Sequence, residues 1–351
     1  MSNFISGTGS AVPTIIKKNS DFTQARFVDE EANPFPTETT EIIEKFSSIT
    51  GIEERRYAPD NINSSDLAAE AAAKAIEKAA IDKESIDYII VAHNFGDTPA
   101  NAVQSEPLPS VASKVKTLLG IVNPSCVAYD LLFGCPGWVE GMIQANAFIN
   151  AGIAKRCLVI GAETLSRVID PVDRDSMIFA DGAGASIIEA SKDQAGIIAH
   201  KSVTYTSNNE IDMLFYGSSY DTSDPNKYIK MKGRKVYEFA LSHVPQAMKA
   251  CLDESGIEIG ELKKIFIHQA NMKMDEAIIK RFYRLYRTPT PEDVLPMNIQ
   301  THGNSSVATI PTLYDQVLNN ELEAHQLNKG DVVLFASVGA GMNINAITYR
   351  V

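Results

Sequence analysis

The fold of this chain is decided by the stretch Pro124-Ser-Cys-Val-Ala-Tyr-Asp-Leu-Leu-Phe-Gly-Cys-Pro-Gly-Trp138 and the apolar run that follows it. The pattern predicts a strand from Val127 to Leu132, a tight turn at Phe133-Gly134, and a helix that begins at Cys135. Pro136 suits the first turn of a helix, because a backbone N–H has no intrahelical partner there. The helix is apolar on nearly all sides, so we expect it to be buried at the centre of the molecule.

This arrangement places the Cys135 thiol at a helix N-terminus. Unpaired backbone N–H groups and the positive end of the helix dipole favour an anion there, so we expect a lowered thiol pKa and a nucleophilic thiolate. An inert, packed thiol is the alternative, because free cysteines are among the most buried residues. We expect that inert role for Cys126, Cys157 and Cys251, which lie in apolar runs with no turn before them.

The composition is typical of a soluble globular protein. The chain has 351 residues, enough for one large or two ordinary domains, with 44% hydrophobic and 22% charged residues. The formal net charge of −12 argues against general binding to nucleic acid or to anionic membranes. We find no signal peptide and no apolar run of membrane-spanning length. Four cysteines without paired spacing favour a reducing cytoplasm over a disulfide framework.

The chain also contains an internal repeat. Ala72–Asn94 and Met248–Asn271 each predict a helix, a short connection and a buried strand that ends near a histidine. Each copy continues with a glycine turn, a buried helix and another strand. We therefore predict two α/β halves, residues 1–193 carrying the nucleophilic cysteine and residues 194–351 carrying its partners, packed so that equivalent turns meet.

Three residues then converge at these turns: Cys135 from the first half, and His268 and Asn304 from the second. A thiolate can accept an acyl group from a thioester, and side-chain N–H donors from His268 and Asn304 could hold an enolate as a β-carboxylate leaves as carbon dioxide. Backbone N–H groups of Cys135 and of the turn Gly339-Ala340-Gly341 could form a separate oxyanion hole. Taken singly, a structural histidine and a turn-forming asparagine remain the alternatives.

Six motifs are spread over nearly the whole chain: Gly-Thr-Gly-Ser-Ala-Val-Pro at 7–13, Thr-Gly-Ile-Glu-Glu-Arg-Arg at 50–56, Gly-Cys-Pro-Gly at 134–137, Asp-Gly-Ala-Gly-Ala at 181–185, His-Gln-Ala-Asn at 268–271 and Gly-Asn-Ser-Ser at 303–306. With these motifs the chain resembles the β-ketoacyl-acyl carrier protein synthase III family. The resemblance implies an α/β thiolase fold, in which two pseudo-repeated halves form a five-layered α-β-α-β-α arrangement. It also implies a homodimer.

The resemblance implies a decarboxylative Claisen condensation of the kind that initiates fatty-acid synthesis. An acyl primer loads onto Cys135, and malonyl on acyl carrier protein then loses carbon dioxide near His268 and Asn304. The backbone of Cys135 and Ala340 would form the oxyanion hole. The carrier protein and its phosphopantetheine would contact the residues Asn271, Lys273 and Arg281. No metal and no cofactor is implied beyond thioesters on the phosphopantetheine of coenzyme A or of the carrier protein.

Some positions depart from the family pattern. Lys45 and Ile49 stand where members that take their primer from coenzyme A usually have Trp and Arg, Lys273 stands for an Arg, and Glu238 stands for a Lys. These departures indicate a longer or carrier-bound primer. A specialised ketosynthase of secondary metabolism, joining two acyl chains toward resorcinol- or quinolone-type products, is the second enzyme hypothesis. The basic stretch 263–287 is a plausible dock for an acidic carrier protein.

Rival classes share parts of this pattern. The order Cys, His, Asn also occurs in papain-like hydrolases, but Cys135 lacks their flanking Cys-Gly-Ser-Cys-Trp motif. A thiolase would have a second catalytic cysteine in the last glycine turn, where this chain has Gly339-Ala-Gly341. A non-catalytic carrier-binding subunit would not need all three polar residues.

Overall fold

The computed structural model describes residues 3–102, 104–190 and 195–351. Its helices are α1 (Thr39–Thr50), α2 (Ser64–Ala79), α3 (Val111–Leu118), α4 (Gly137–Asn150), α5 (Gly233–Ser255), α6 (Met272–Leu285), α7 (Ile299–His302) and α8 (Thr309–Leu318). Its strands are β1 (Asn3–Ala11), β2 (Ile15–Lys18), β3 (Glu54–Tyr57), β4 (Tyr88–His93), β5 (Val127–Leu132), β6 (Arg156–Thr164), β7 (Asp181–Ala190), β8 (Gly196–Thr204), β9 (Leu214–Ser218), β10 (Lys227–Met231), β11 (Leu262–Ile267), β12 (Val332–Gly339) and β13 (Asn343–Arg350). No helix within these residues is long and apolar enough to cross a membrane.

Two large sheets have matching topologies. One has the order β1-β7-β6-β4-β5, and the other has the order β8-β13-β12-β11. In both sheets the first two pairings are antiparallel and the third is parallel, so only β5 lacks a counterpart. The predicted boundary between residues 193 and 194 lies outside the described residues, and the division into halves stays a prediction.

The sheets pack on helices in five layers. Helices α4 and α8 lie between the two sheets, α2 and α3 cover the outer face of the first sheet, and α5 and α6 cover that of the second. Side chains alternate accordingly along β6, where Leu158 and Ile160 face α2 while Cys157 and Val159 face the central helices. The predicted α-β-α-β-α arrangement is confirmed, and the apolar helix after Cys135 is indeed central.

Helix α2 begins after Asn63, whose backbone N–H donates to Asp66 Oδ2 at 2.8 Å and whose backbone carbonyl accepts the N–H of Asp66 at 3.1 Å. Ser65 lies inside the first turn, and its hydroxyl donates to Asp97 at 2.7 Å. This bond ties α2 to the long segment after β4, which reaches the site.

The Ser- and Asp-rich insertion 204–228 is more ordered than its composition predicts. Part of it forms a hairpin in which β9 pairs with β10. Lys230 of this hairpin is buried and its Nζ lies 2.6 Å from Asp170 and 3.1 Å from Asp173. The ion pairs hold the hairpin against residues 170–173, where it forms one wall of the site.

Candidate active site

The three predicted catalytic side chains line one cavity. Cys135, His268 and Asn304 all border a cavity of about 220 Å³. Cys135 lies in the turn between β5 and α4, His268 directly follows β11, and Asn304 follows α7. The segments that follow β5, β11 and α7 therefore bring together residues that are far apart in the sequence.

The turn at Cys135 is built from glycines. Gly134 has a φ of +77°, a left-handed conformation that glycine adopts at little cost. Its carbonyl accepts the N–H of Gly137 at 2.9 Å, and Gly137 is the first residue of α4. The helix thus begins after Cys135, slightly later than the sequence predicts.

Burial of the Cys135 sulfur opposes the lowered thiol pKa that we expected from the sequence. The protein surrounding the sulfur raises the pKa of Cys135 to about 11, and the negative charge of Glu163 adds to the rise. A hydrogen bond from Ser306 acts in the other direction. The expected lowered pKa is therefore wrong for this structure: the sulfur is desolvated and precedes the helix, so the resting group is a thiol.

The turns that contain Cys135 and Ala340 pack closely against each other. A Cβ on Gly339 would lie 2.7 Å from the backbone nitrogen of Cys135, and a Cβ on Gly134 would lie 3.2 Å from that of Ala340. Gly339 has an extended backbone, so glycine is needed here for space. The close approach brings the predicted oxyanion-hole residues Cys135 and Ala340 side by side.

Asn304 is fixed by the backbone around it. Its Oδ1 accepts the N–H of Ser306 at 2.8 Å, and its own backbone N–H donates to Ile178 at 3.0 Å. Because the amide oxygen is occupied, the amide NH₂ is the group left to face a ligand in the cavity.

His268 is buried and neutral. Burial lowers the pKa of its imidazole to about 4, with contact to the Ser306 backbone opposing this shift. The adjacent Gln269 anchors the segment, since its Oε1 accepts the N–H groups of Asn298 and Ile299 at 3.1 and 3.0 Å. The His-Gln pair therefore links the end of β11 to the start of α7.

The sequence analysis missed three polar residues beside the sulfur: Ser306, Asn94 and Glu163. Ser306 Oγ donates to Cys135 Sγ at 3.2 Å and accepts from Asn94 Nδ2 at 2.9 Å. Asn94 in turn donates to Glu163. Asn94 directly follows β4, the same kind of position that identified His268. Glu163 lies within β6, which continues to Thr164, so no neighbouring turn marks it as a site residue in the sequence.

A second, larger cavity adjoins the first. It has a volume of about 410 Å³ and is lined by Asn271, Lys45 and Ile49 among others. The two cavities share the lining residues Met231, Val236, Ala270 and Met274. The two cavities therefore lie next to each other, and Cys135 lines the smaller one.

The other two predicted carrier-binding residues lie outside the cavities. Among the described residues that line them, neither Lys273 nor Arg281 is present. Lys273 is exposed near the start of α6, and Arg281 donates to the carbonyl of Leu241 at 3.0 Å. The basic stretch is not wholly a surface feature, because Lys264 is buried and pairs with Asp293.

Comparison with known proteins places the chain in a family. Residues 129–206 match the family described as 3-oxoacyl-(acyl-carrier-protein) synthase III, and residues 252–351 match its C-terminal part. A β-ketoacyl-(acyl-carrier-protein) synthase III of Vibrio vulnificus is 33% identical over 347 residues, covering 99% of this chain and 98% of the relative. The chain belongs to the synthase III family. A synthase III of Erythrobacter litoralis is 30% identical, with the same coverage.

Solved synthase III structures have the same fold. The enzyme from Aquifex aeolicus superposes with a TM-score of 0.81 at 28% identity, covering 99% of this chain and 100% of that one. The enzyme from Thermus thermophilus gives 0.81 at 27% identity, covering 99% of each chain. The predicted thiolase fold is confirmed, and synthase III membership replaces the papain-like alternative.

Proposed function

We propose that this protein condenses an acyl thioester with malonyl-acyl carrier protein, with loss of carbon dioxide, to give a β-ketoacyl thioester. One observation carries the proposal: Cys135, His268 and Asn304 line the same cavity, which lies next to a larger one. The family membership supports it, since the relatives are named for this synthase activity.

The first step is acyl transfer to Cys135. The sulfur attacks the thioester carbonyl, a new S–C bond forms, and the donor leaves as a thiolate that takes up the proton of the Cys135 thiol. Burial lowers the pKa of the His268 imidazole to about 4, so His268 stays neutral in this step and is kept as an N–H donor for the second. The backbone N–H groups of Cys135 and Ala340 would stabilise the tetrahedral oxyanion.

The second step is decarboxylative condensation. The malonyl C–C bond breaks, carbon dioxide leaves, and the electron pair forms an enolate whose oxygen receives N–H bonds from His268 and Asn304. The enolate carbon attacks the acyl carbonyl on Cys135, and the S–C bond breaks. The released thiolate takes one proton, which restores the enzyme for the next cycle.

The thioester substrates would arrive on phosphopantetheine, carried by coenzyme A or acyl carrier protein. Asn271 lines the outer cavity through which such an arm would reach the sulfur. The condensation itself requires neither a metal nor a redox cofactor. Because Lys45 and Ile49 occupy this entrance, we favour a longer or carrier-bound primer over acetyl-coenzyme A.

An acidic carrier protein would dock beside that entrance. Exposed Lys273 lies on α6, the helix that Asn271 caps, and Arg281 lies further along it. Asp275 does not weaken this basic surface, because its side chain is fully buried. Carrier binding should therefore weaken with rising salt concentration.

We further propose a homodimer that acts in the reducing cytoplasm. All four cysteines are free in the structure, which supports the compartment. The exposed edge strand β5 supports the dimer, as argued below. We propose no role in binding nucleic acid or membranes.

Intact-protein mass spectrometry tests the nucleophile. The protein should gain the mass of the acyl group when incubated with acyl thioesters of several chain lengths, and Cys135→Ser should lose that gain. Cys126→Ser, which changes a buried cysteine outside the cavity, is the matched control and should still be acylated. Acylation of Cys135→Ser at the rate of the unmodified protein would overturn the assignment.

A further inference from the structure

A hydrogen-bonded chain leads from β6 to the reactive sulfur. The backbone N–H of Asn94 donates to Glu163 Oε1 at 2.8 Å, and Asn94 Nδ2 also donates to that oxygen. The same Nδ2 donates to Ser306 Oγ at 2.9 Å, and Ser306 Oγ donates to Cys135 Sγ at 3.2 Å. The four residues come from β6, the end of β4, the turn after Asn304 and the turn before α4.

The donor and acceptor groups of these residues fix the direction of each hydrogen bond. At pH 8 Glu163 is mostly ionised, and because a carboxylate only accepts, it turns the NH₂ of Asn94 toward itself and toward Ser306. An amide NH₂ only donates, so the Ser306 oxygen must act as acceptor in that contact. The single hydroxyl proton of Ser306 is then available for the sulfur of Cys135.

We propose that Glu163 and Asn94 are positioning residues that orient the Ser306 hydroxyl as a permanent donor to the Cys135 sulfur. The inference rests on the proposed function for its purpose, because such a donor stabilises the thiolate whenever the S–C bond forms or breaks. Neither residue touches the reacting atoms directly, and both act through Ser306.

The backbone of Ser306 is held in an unfavourable conformation. Ser306 has a φ of +55°, a left-handed conformation that is unfavourable for a residue with a side chain. β6 supports the turn twice on one face, since Gly161 leaves room for the carbonyl of Val307 and Glu163 holds Asn94. A strained serine whose surroundings are fixed by two residues of β6 indicates a requirement for its hydroxyl.

Charged groups near these four residues also affect the thiol pKa of Cys135, separately from the hydrogen bond from Ser306. Glu163 faces His93 from β4 and Asp181 from β7, and burial raises the pKa of Glu163 to about 7. The negative charge of Glu163 raises the thiol pKa of Cys135, whereas the hydrogen bond from Ser306 lowers it. His268 also borders the cavity but is neutral.

The test measures the thiol pKa of Cys135 from the pH dependence of alkylation by iodoacetamide, followed by intact mass. Ser306→Gly deletes the hydroxyl while permitting the positive φ, and Asn94→Ala deletes the orienting amide. Each variant should be alkylated about tenfold more slowly at pH 8, corresponding to a rise of about one pKa unit. The double variant should be no slower than Ser306→Gly alone, because Asn94 acts through Ser306.

Glu163 variants separate positioning from charge. Glu163→Ala releases Asn94 and should raise the thiol pKa, although loss of a negative charge alone would lower it. Glu163→Gln keeps an acceptor oxygen for Asn94 and removes the negative charge, so its thiol pKa should be no higher than that of the parent protein. Asn146→Ala, a buried change away from the cavity, is the control for folding, checked by thermal unfolding.

Three results would overturn the inference: an unchanged thiol pKa in Asn94→Ala, additive effects in the double variant, or a lower thiol pKa in Glu163→Ala. The assay uses no thioester. The alkylation assay would therefore still measure the thiol pKa if the proposed condensation failed.

Discussion

His268 and Asn304 present the cavity with two different kinds of N–H donor. Burial keeps the imidazole uncharged, with a pKa of about 4, so His268 donates from a neutral ring across the physiological range. Asn304 donates because Ser306 occupies its carbonyl oxygen. Neither donor touches the sulfur in the observed hydrogen bonds, which agrees with a role at the malonyl group rather than at the primer.

Replacing either donor should therefore separate the two half-reactions. We expect His268→Ala and Asn304→Ala to be acylated on Cys135 but to lose about 10² to 10³-fold in decarboxylation of malonyl-acyl carrier protein, the usual effect of deleting one preorganised donor. Mass spectrometry follows the first step and carbon dioxide release the second. His200→Ala, on the exposed side of β8, is the control. Loss of acylation with normal decarboxylation would show that the roles are divided differently.

At the level of single residues, the sequence identifies site residues that follow a strand or lie in a turn. Cys135 was found because it follows a strand and a glycine turn, His268 because it follows a buried strand, and Asn304 because it lies in a glycine turn. Ser306 and Asn94 have the same kind of position, but their importance depends on partners from other elements. The direction of the Cys135 pKa shift was predicted wrongly, since desolvation depends on how completely other segments enclose the sulfur.

Among the elements, α6 contains an unusual carboxyl group. Asp275 lies in its first turn, where the helix dipole favours a negative charge, yet its side chain is fully buried. Burial raises the pKa of Asp275 well above its ordinary value, with Glu276 adding to the rise and the Asn271 backbone opposing it. The folded protein therefore keeps this proton after the unfolded chain has lost it.

This proton gives stability a pH dependence with a definite sign. Since the folded pKa exceeds the unfolded value of about 3.9, Asp275 costs nothing below about pH 4. Its contribution then lowers the free energy of unfolding by up to about 1.4 kcal/mol per pH unit as pH rises toward the folded pKa. The free energy of unfolding of Asp275→Asn should be closest to that of the parent protein in acid. Above pH 5 the variant should be more stable than the parent, by an amount that increases with pH.

Thermal and urea unfolding at pH 4 to 8 would measure this difference. Glu254→Gln, which removes an exposed carboxylate from α5, should follow the parent at every pH. A stability difference between Asp275→Asn and the parent that does not change with pH would contradict the argument.

How well an element could be predicted depends on where its stabilising partners lie. The strand β5 and the helix α4 follow from local patterns, and both were predicted to within two residues. The hairpin of β9 and β10 does not follow from its local sequence, because the segment is rich in polar residues. Its stability comes from Lys230 between two aspartates that lie far away in the sequence.

For the whole molecule, the exposed edge of the first sheet is the main unexplained surface. β5 is the edge strand, and it has no counterpart in the second sheet. Val127 and Leu132 on it are 45% and 72% exposed. Leu108, Leu118 and Val122 are exposed in the preceding segment. An apolar edge strand readily pairs with another chain, so this edge is where we place the proposed homodimer contact.

A charge on each exposed edge residue should therefore separate the subunits. We expect the parent protein to have twice the chain mass by light scattering after size-exclusion chromatography, and Val127→Lys with Leu132→Lys to have the mass of one chain. The two side chains point away from the protein interior, so the fold should survive, as circular dichroism would show. Ile153→Lys, which charges a residue that is 58% exposed after α4, should stay dimeric. A monomeric parent, or a double variant that keeps twice the chain mass, would contradict the placement of the contact on β5.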